Sequence, residues 1–485
     1  MRATLAEAAA AMDGRLAGAD GATPWEGVAI DSRAVRVGQL FFALPGARTD
    51  GHNFLPQAHA AGAAALVVHD ESAVPEGAPR IAVRDTFEAL HALTRHARAR
   101  VPEKLAAVTG SVGKTTTKEL LAAMLARRFR VARTPGNLNS LYGFPLALLD
   151  VPEDTEWMVA EMGMSTPGEL ARLSRLGRPD VAVFTAVRPV HLEFFGSLRA
   201  IAEAKAELLA GLAPEGLVVA NADDPEVARI GRRHEDEGGR VVWYGAAGEV
   251  RARDVAPAAE GVGTRFVLEA GGESAEVLLP LHGLYNVENC LAAAAAARAI
   301  GVPLAEIAAA AAEVQPAAMR GVVHRLPGGV TLIDDSYNSN PDALARALES
   351  ASLLPAQRRL AVLGDMLELG PEGPEFHREA GRRAAELGFS PIVGVGELAR
   401  ELVAGAEEVD VETDWFEDAE SAAAWMPEEL RSGDLLLVKG SRGVGLDRVV
   451  EALLAAAGLP AAGSPAAGAP AAGAPAAGAP AAGGN

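Results

Sequence analysis

The chain has 485 residues, about three times the ~150 residues of a typical domain, so two to four domains are expected. Its 44 Lys and Arg residues against 64 Asp and Glu residues give a net charge of −20. This balance argues against non-specific binding of nucleic acid or of anionic membranes, which depends on basic residues. A hydrophobic fraction of 49% excludes disorder over the whole length.

The sequence shows no pattern of export or membrane insertion. Its single cysteine, Cys290, cannot form an internal disulfide, which fits a reducing compartment. Charges at Glu7, Asp13 and Arg15 interrupt the apolar N-terminal segment, so no secretory signal is predicted. The longest apolar stretch, around Cys290 to Ala297, is much shorter than the ~20 residues of a membrane span. We therefore expect a soluble, cytoplasmic protein.

The first hundred residues predict a small α/β domain. Their helical pattern runs from Thr86 to Arg100 and is followed by a proline break, so we place this domain at residues 1–103. Short strands are expected before the helix, at 27–31, 39–44 and 64–69.

From Leu105 onward, apolar strands alternate with helices, a pattern typical of a parallel sheet covered on both faces. One of these helices is predicted to begin with Thr166 as its N-cap. A β-rich excursion at 240–281 and an alanine-rich helix from Asn286 complete this second domain, which we place at 104–316.

A third α/β run begins near Arg320 and predicts a second doubly wound sheet, at residues 317–458. Residues 459–485 repeat a PAAGA unit without charges, a composition typical of a flexible, disordered tail. The apolar strands of the third domain are expected at 330–335, 359–364, 391–396 and 434–440.

The segment VTGSVGKTTT at 108–117 directly follows an apolar strand and opens a helix. In that context, glycines let backbone N–H groups close around phosphate, while Lys114 and Thr115 can reach a terminal phosphate and Mg²⁺. Position 108 is Val, so the segment departs from the common G-x-x-x-x-G-K-[ST] spacing. The alternative interpretation is a plain glycine turn between strand and helix.

Three further residues are candidates at the same edge of the sheet. Glu161 ends the next strand and is a candidate metal ligand, because open α/β sheets bind ligands at their carboxyl ends. His191 follows the strand at 180–186, and Lys205 lies on the helix after it. The alternatives are a solvated acid, a structural histidine and a solvated lysine.

The ratio of arginine to lysine bears on Lys205. The chain has 39 Arg but only 5 Lys, and a lysine retained in such a composition indicates a position where a guanidinium cannot substitute. Only a primary amine is a compact point charge or can be covalently modified. Four of the five lysines lie near candidate sites: Lys114, Lys118, Lys205 and Lys439.

Three polar segments lie outside the central domain, two in the first domain and one in the third. Asp31-Ser32-Arg33 and Asp50-Gly51-His52 occupy strand-end and turn positions suited to a polar ligand, although such residues are also ordinary in turns. The segment DDSYNSNP at 334–341 follows an apolar strand and is too polar for a plain connection. Its Asn340-Pro341 pair can also be read as the N-cap and first residue of a helix.

Taken together and in this order, these motifs resemble those of the Mur ligase family over residues 1–457. Within the family, GNLNSLYGFP and DDSYNSNP favour the type that adds D-alanyl-D-alanine over the type that adds the third peptide residue. The resemblance is carried by DSRAVRVGQLFFALPGARTDGHNF, TGSVGKTTTKE, TPGNLNSLYGFPLALL, EMGMSTPGEL, HGLYNVENC, MRG at 319–321, DDSYNSNPDAL, LGDMLELG and KGSRGVGLD.

The resemblance implies an N-terminal domain that binds the UDP end of the substrate, a central P-loop ATPase-like domain, and a Rossmann-like C-terminal domain. It implies that Lys114 is catalytic, with Thr115, Glu161 and His191 as Mg²⁺ ligands. His191 and Lys205 are also implied to be catalytic, and a carbamylated Lys205 would hold a second Mg²⁺. ATP-binding positions are implied at Gly110, Ser111, Val112, Gly113, Lys114, Thr115, Thr116, Asn286, Asn289, Arg320 and Asp335. Substrate-binding positions are expected at Ser32, Arg33, Asp50, Tyr337 and Asn338.

The resemblance further implies the reaction and its partners: an ATP-dependent ligase of peptidoglycan precursor synthesis that joins UDP-N-acetylmuramoyl-tripeptide to D-alanyl-D-alanine through an acyl phosphate. A monomer that binds no nucleic acid is expected. Two alternatives stay open. One is another ligase of the same superfamily, such as the diamino-acid-adding type or a folylpolyglutamate-type synthase. The other is a P-loop NTPase that acts as a switch.

Overall fold

A computed structural model of the chain describes residues 3–46, 49–100, 104–190, 192–258 and 262–460. The predicted disordered tail falls almost wholly outside the described residues, as does the junction at 101–103. Among the described helices, none is long and apolar enough to cross a membrane. Three units follow one another along the chain, each built around its own main sheet.

The N-terminal unit has a five-stranded sheet of order β2-β7-β6-β5-β4, which is parallel except where β2 meets β7. A two-stranded β1-β3 ladder lies beside it. The strands are β1 Ala3–Thr4, β2 Arg15–Ala17, β3 Pro24–Trp25, β4 Val28–Ala29, β5 Leu40–Phe42, β6 Ala65–Val68 and β7 Arg80–Ala82. The helices are α1 Leu5–Ala11, α2 Leu55–Ala60 and α3 Thr86–Arg100.

The central unit has a nine-stranded sheet of order β16-β15-β14-β13-β12-β11-β8-β10-β9. It is parallel from β9 to β14. The segment 240–281, where a β-rich excursion is predicted, holds β13, which continues the parallel sheet, and β14, β15 and β16, which pair antiparallel with one another. The strands are β8 Lys104–Thr109, β9 Val131–Arg133, β10 Trp157–Glu161, β11 Val181–Phe184, β12 Leu217–Asn221, β13 Arg240–Tyr244, β14 Val250–Pro257, β15 Thr264–Ala270 and β16 Glu273–Leu279. The helices are α4 Lys114–Leu125, α5 Gly143–Leu149, α6 Glu169–Gly177, α7 Leu192–Phe195, α8 Leu198–Ala206, α9 Pro225–Asp236, α10 Tyr285–Ile300 and α11 Leu304–Glu313.

Helices cover both faces of the central sheet, as the apolar strands predict. One face packs against α4, α10 and α11, with a run of buried alanines on α10 that allows close approach of helix and sheet. The other face packs against α5, α6, α8 and α9, and its core continues into the N-terminal unit. Both faces are buried, so the polar carboxyl edge of the sheet is left for ligand binding.

The prediction that α6 begins with Thr166 as its N-cap is wrong. The helix begins at Glu169, after Gly168 in a left-handed conformation (φ 88°). The carboxylate of Glu169 accepts hydrogen bonds from the N–H groups of Ser165 and Thr166, so the acid reaches back over the turn that had been assigned to the helix.

The C-terminal unit has a six-stranded sheet of order β17-β18-β22-β19-β20-β21, parallel except where β17 meets β18. Helices α12, α13 and α14 pack on one face, and α15 and α16 on the other. The strands are β17 Val322–Leu326, β18 Val330–Asp335, β19 Arg358–Gly364, β20 Phe389–Val395, β21 Thr413–Phe416 and β22 Asp434–Lys439. The helices are α12 Pro341–Ser352, α13 Gly373–Glu386, α14 Ala399–Glu407, α15 Ala419–Glu429 and α16 Asp447–Ala456.

Candidate active site

The loop between β8 and α4 lies at the carboxyl edge of the central sheet, between the ends of β10 and β11. The segment that follows the neighbouring strand β11 holds the backbone of this loop, because the Ser111 N–H donates to the carbonyl of Ala186 at 2.7 Å. The Thr185 hydroxyl donates to the carbonyl of Val112 at 2.6 Å. These contacts leave the loop preformed at the start of a helix, which is the arrangement that binds phosphate.

Glycine is required at two positions of this loop. Gly113 has φ 82°, and a Cβ there would lie 2.1 Å from the side-chain oxygen of Asn289 on α10. At Gly110, which has φ 152°, a Cβ would lie 1.8 Å from the Thr185 hydroxyl. A plain glycine turn does not need such close approach from two neighbouring elements, so the geometry favours a phosphate loop.

Glu161 is buried at the end of β10, with 2% of its surface exposed. One carboxylate oxygen accepts a hydrogen bond from the Thr115 hydroxyl at 2.7 Å, and the other accepts one from the Asn139 amide at 2.6 Å. A hydroxyl and a carboxylate therefore stand side by side at the start of α4. Such oxygen donors are the ligands that Mg²⁺ takes in nucleotide sites.

Two lysines face this group. Lys114 donates to the carbonyls of Gly110 and Ser111 at 2.9 and 3.2 Å, so its side chain folds back over its own loop. Burial lowers the pKa of Lys114, while the nearby Glu161 carboxylate opposes that shift. Lys205, on α8, is 3% exposed, and burial together with the Lys114 charge holds its pKa well below the usual value. The neutral amine of Lys205 is therefore reached at a lower pH than that of an exposed lysine.

The C-terminal unit supplies the opposite wall of the site from the end of β18. The carboxylate of Asp335 accepts a hydrogen bond of 2.6 Å from Lys439, at the end of β22, and Lys439 also donates to the carbonyl of Asn338. The guanidinium of Arg320 lies 4.0 Å from the ring centre of Tyr337, a cation–π contact. Strand-end residues of two sheets thus face each other.

One cavity of about 330 Å³ joins these groups. It is lined by almost all the candidates from the central and C-terminal units, so the structure brings them together although they span more than 200 residues. The candidates that line it are Gly110, Ser111, Val112, Gly113, Lys114, Thr115, Thr116, Glu161, Lys205, Asn286, Asn289, Arg320, Asp335, Tyr337 and Asn338.

The three N-terminal candidates, Ser32, Arg33 and Asp50, are not among the residues that line this cavity. Ser32 is buried and donates to Gln57, whereas Arg33 is exposed and pairs with Asp31. The Asp50 carboxylate bonds the His52 ring.

His52 itself is fully engaged. Its Nδ1 bonds Asp50 at 2.7 Å, and its Nε2 accepts from the backbone N–H groups of His69 and Asp70. Both ring nitrogens are therefore used to hold the loop after β6 against the Asp50 turn. The candidate His191 lies outside the described residues, and its role stays a prediction.

Several cavity residues were not singled out from the sequence. Asn139 was part of a recognised motif but received no role, and its polar position within a glycine-rich loop was the available signal. Arg346 and Asp342 lie on α12, and their sequence context does not indicate a binding site, because charged residues on a helix usually face solvent. Further lining residues of this kind are Asn137, Tyr285 and Glu288.

Comparison with known proteins agrees with this arrangement between residues 24 and 442. Residues 24–128 match a family described as Mur ligase family, catalytic domain. Residues 108–297 match the Mur ligase middle domain, and residues 319–442 match the Mur ligase, glutamate ligase domain. The three matches follow the order of the three sheets.

Curated relatives match at nearly full length. The UDP-N-acetylmuramoyl-tripeptide--D-alanyl-D-alanine ligase of Bacillus subtilis is 35% identical, with 88% of this chain and 93% of that protein covered. The Escherichia coli protein of the same name is 34% identical, with 93% and 98% covered.

Solved structures match in the same way. MurF from Acinetobacter baumannii has a TM-score of 0.85 at 30% identity, covering 94% of this chain and 99% of that one. The MurF ligase of Thermotoga maritima in complex with ADP has a TM-score of 0.77 at 28% identity, covering 89% and 98%. With three family matches in sequence order and relatives above 30% identity along nearly their whole length, the chain belongs to the Mur ligase family.

Proposed function

We propose that the protein is an ATP-dependent ligase that joins the terminal carboxylate of UDP-N-acetylmuramoyl-tripeptide to the amine of D-alanyl-D-alanine, releasing ADP and phosphate. The observation that carries this proposal is the single cavity in which a preformed phosphate loop, a buried Glu161 and Lys205 meet the polar strand end at 335–338. The relatives named above share this architecture along almost their full length.

ATP is placed with its phosphates on the loop from Gly110 to Thr116. Backbone N–H groups and the helix N-terminus of α4 attract the anion, and Lys114 exchanges its contacts with the loop carbonyls for a phosphate oxygen. The remaining nucleotide contacts are assigned to Asn286, Asn289, Arg320 and Asp335, which line the same cavity. Asn289 is ordered for this by its 2.9 Å bond to Asn286.

The residues around Glu161 fit Mg²⁺. Thr115 and Glu161 would hold it, with His191 as a further proposed ligand, because a hydroxyl next to a buried carboxylate is a hard oxygen donor set. When bound there, Mg²⁺ would offset charge on the terminal phosphates and polarise the group being transferred. Asn139 keeps the Glu161 carboxylate oriented through its 2.6 Å hydrogen bond.

Lys205 is proposed to carry a carbamate. The lowered pKa leaves a fraction of its amine neutral, and a neutral Nζ can attack the carbon of CO₂, forming an N–C bond and losing a proton to water. The product is an anion, which removes the repulsion between the Lys205 and Lys114 cations. It would also serve as a ligand for a second Mg²⁺, a role that no guanidinium could take.

The chemistry then needs activation of a carboxylate, because an amine does not displace oxide. A carboxylate oxygen attacks the γ-phosphorus of ATP, and the bond to ADP breaks. The amine nitrogen attacks the carbonyl carbon of the acyl phosphate, loses its proton, and phosphate leaves from the tetrahedral intermediate. Lys114 offsets the charge that accumulates between the phosphates and the carboxylate, which is the main contribution a protein makes to phosphoryl transfer.

The peptide and dipeptide ends of the substrates are assigned to Tyr337 and Asn338, on the C-terminal wall. The UDP end is assigned to Ser32, Arg33 and Asp50 in the N-terminal unit. This division follows proposed domains at 1–103, 104–316 and 317–458. We further propose a cytoplasmic, monomeric enzyme.

An assay over a matrix of substrates tests the proposal. UDP-muramoyl peptides of two or three residues, the latter ending in diaminopimelate or lysine, are combined with D-alanyl-D-alanine, diaminopimelate or glutamate, and ADP and amide are measured. We expect ADP and amide to form only when a tripeptide substrate and D-alanyl-D-alanine are supplied together. Nucleotide hydrolysis without an acceptor would indicate a switch NTPase, and turnover with the dipeptide substrate and a diamino acid would indicate another Mur type.

A further inference from the structure

Arg188 makes contacts in three directions beside the phosphate loop. Its backbone N–H donates to the Ser111 hydroxyl at 2.9 Å, and that hydroxyl donates to the Arg188 carbonyl at 3.0 Å. The residue is thus joined by two hydrogen bonds to the phosphate loop. Its guanidinium bonds the carboxylate of Asp224 in the central unit and lies 3.2 Å from the carboxylate of Asp342 in the C-terminal unit.

The contact with Asp224 fixes Arg188 to the central unit. Asp224 is 2% exposed and caps α9 through the N–H groups of Glu226 and Val227. Its second oxygen accepts from the N–H of Val187 and from the Arg188 guanidinium. A buried carboxylate with all these donors has little freedom, so the guanidinium is held in one position relative to the phosphate loop.

The contact with Asp342 reaches the other unit. Asp342 lies in the first turn of α12 and also pairs with Arg346 at 3.2 Å, four residues further on. Arg346 in turn contacts Glu288 on α10 at 3.1 Å. Two ion pairs therefore attach α12 to the central unit: Asp342 with Arg188, and Arg346 with Glu288. This group of Arg188, Asp342, Arg346 and Glu288 is called the α12 clasp.

The α12 clasp lies beside the part of the cavity where the acyl phosphate and the incoming amine are proposed to meet. Glu288, Asp342 and Arg346 line the cavity, and Tyr337 and Asn338 lie just before α12. A shift of α12 away from Arg188 would carry this polar segment away from the phosphate loop. The clasp ties the wall assigned to the amine to the loop assigned to ATP.

We propose that the Arg188–Asp342 ion pair couples the phosphate loop to the C-terminal unit, and that Arg188 is a positioning residue for ligation. The inference rests on the proposed function. Acyl phosphate forms at the phosphate loop, whereas the amine is delivered from the C-terminal wall. The pair holds both in one closed arrangement, so that the amine reaches the acyl phosphate before water does.

The test compares ADP with amide product. The native enzyme should release one ADP per amide, whereas Asp342→Asn should release ADP in excess, with a ratio that rises about fivefold or more. Glu349→Gln is the matched control, because Glu349 lies on the same helix but pairs with Arg383 within the C-terminal unit. That variant should keep the native ratio.

A double-mutant cycle tests whether Asp342 acts through its contact with Arg188. Arg188→Gln and Asp342→Asn should each raise the ADP-to-amide ratio. In the double variant the two increases should not multiply, because each substitution removes the same interaction. Effects that multiply independently would overturn the proposal, as would a native ADP-to-amide ratio in Asp342→Asn. Arg188→Lys keeps the charge, but a compact ammonium does not span two carboxylates as a planar guanidinium does, so this variant should give an intermediate ratio.

A distance measurement separates this inference from the proposed function. Spin labels on Glu215→Cys and Glu386→Cys, both at exposed positions, report the separation of the central and C-terminal units, and native Cys290 is buried away from the reagent. Asp342→Asn should broaden the distribution of distances relative to Glu349→Gln, with and without ATP and Mg²⁺. An unchanged distribution would contradict the coupling. Absence of turnover with an intact clasp would instead contradict the proposed reaction.

Discussion

The hydroxyl of Thr115 donates a 2.7 Å hydrogen bond to the carboxylate of Glu161, although 46 residues separate the two along the chain. The contact arises because β8 and β10 are neighbours in a parallel sheet, with Val108 opposite Glu161. The start of α4, which follows β8, and the last residue of β10 therefore meet at the carboxyl edge of the sheet. This is how a parallel sheet brings residues of distant segments together at one ligand-binding edge.

The first prediction concerns Lys114. Lys114→Ala should lower ADP formation in the presence of both acceptor substrates by at least about 10²–10³-fold, because one charged group directed at the transferred phosphoryl is lost. Lys104→Ala is the control, since Lys104 is exposed at the opposite end of β8. Near-normal turnover of Lys114→Ala would refute the assignment of the loop.

The second prediction concerns Glu161. Glu161→Gln keeps the size of the side chain and a hydrogen-bonding oxygen but removes the negative charge. The concentration of Mg²⁺ that gives half-maximal activity should rise about 10- to 100-fold. Glu156→Gln is the matched control, because Glu156 lies just before the same strand, at the far end of the sheet, where its carboxylate contacts the backbone N–H and the guanidinium of Arg130. An unchanged Mg²⁺ requirement in Glu161→Gln would contradict the metal assignment.

These two sites show how far the sequence could lead. Apolar strands followed by Gly, Lys, Thr or Glu imply a shared sheet edge, because parallel strands place their carboxyl ends together. The phosphate loop, Glu161 and Lys205 were predicted from this rule and from the scarcity of lysine, and the structure places all three on one cavity. Their chemical roles stay predictions.

Other features lay beyond such rules. Strands β1 and β3 have two residues each and carry no measurable periodicity. The Arg188–Asp342 contact joins residues of two units, and its geometry depends on how those units pack, which no local pattern encodes. Hydrophobic periodicity reports on the face each element buries, but not on which charged side chains meet across an interface.

The third prediction concerns Lys205. Lys205→Ala should abolish ligation, and a short carboxylate such as acetate should restore part of it by occupying the place of the carbamate. In the native protein, ¹³C-labelled CO₂ should give a carbamate signal in NMR that Lys205→Ala lacks. The signal should increase with pH and be present well below pH 10.5, because the amine has a lowered pKa and only its neutral form reacts. Full activity of Lys205→Ala would remove the carbamate from the mechanism.

The fourth prediction is a dependence of stability on pH that originates at His282. This side chain is buried just before α10, and burial lowers its pKa from 6.5 to about 4, against the opposing effect of the Asp335 carboxylate. In the described structure, its Nε2 has no hydrogen-bond partner. The imidazole is therefore neutral in the folded protein under conditions where the unfolded chain already binds a proton.

Well above pH 6.5 both states are neutral at this position, and the histidine does not contribute to the pH dependence of stability. As the pH falls toward 4, the unfolded state gains a proton that the folded state does not bind, so the free energy of unfolding should fall by as much as about 3 kcal/mol. Urea unfolding between pH 7.5 and 4 measures this slope. His282→Gln should flatten it. If His282→Gln keeps the native slope, the acid sensitivity arises elsewhere in the fold.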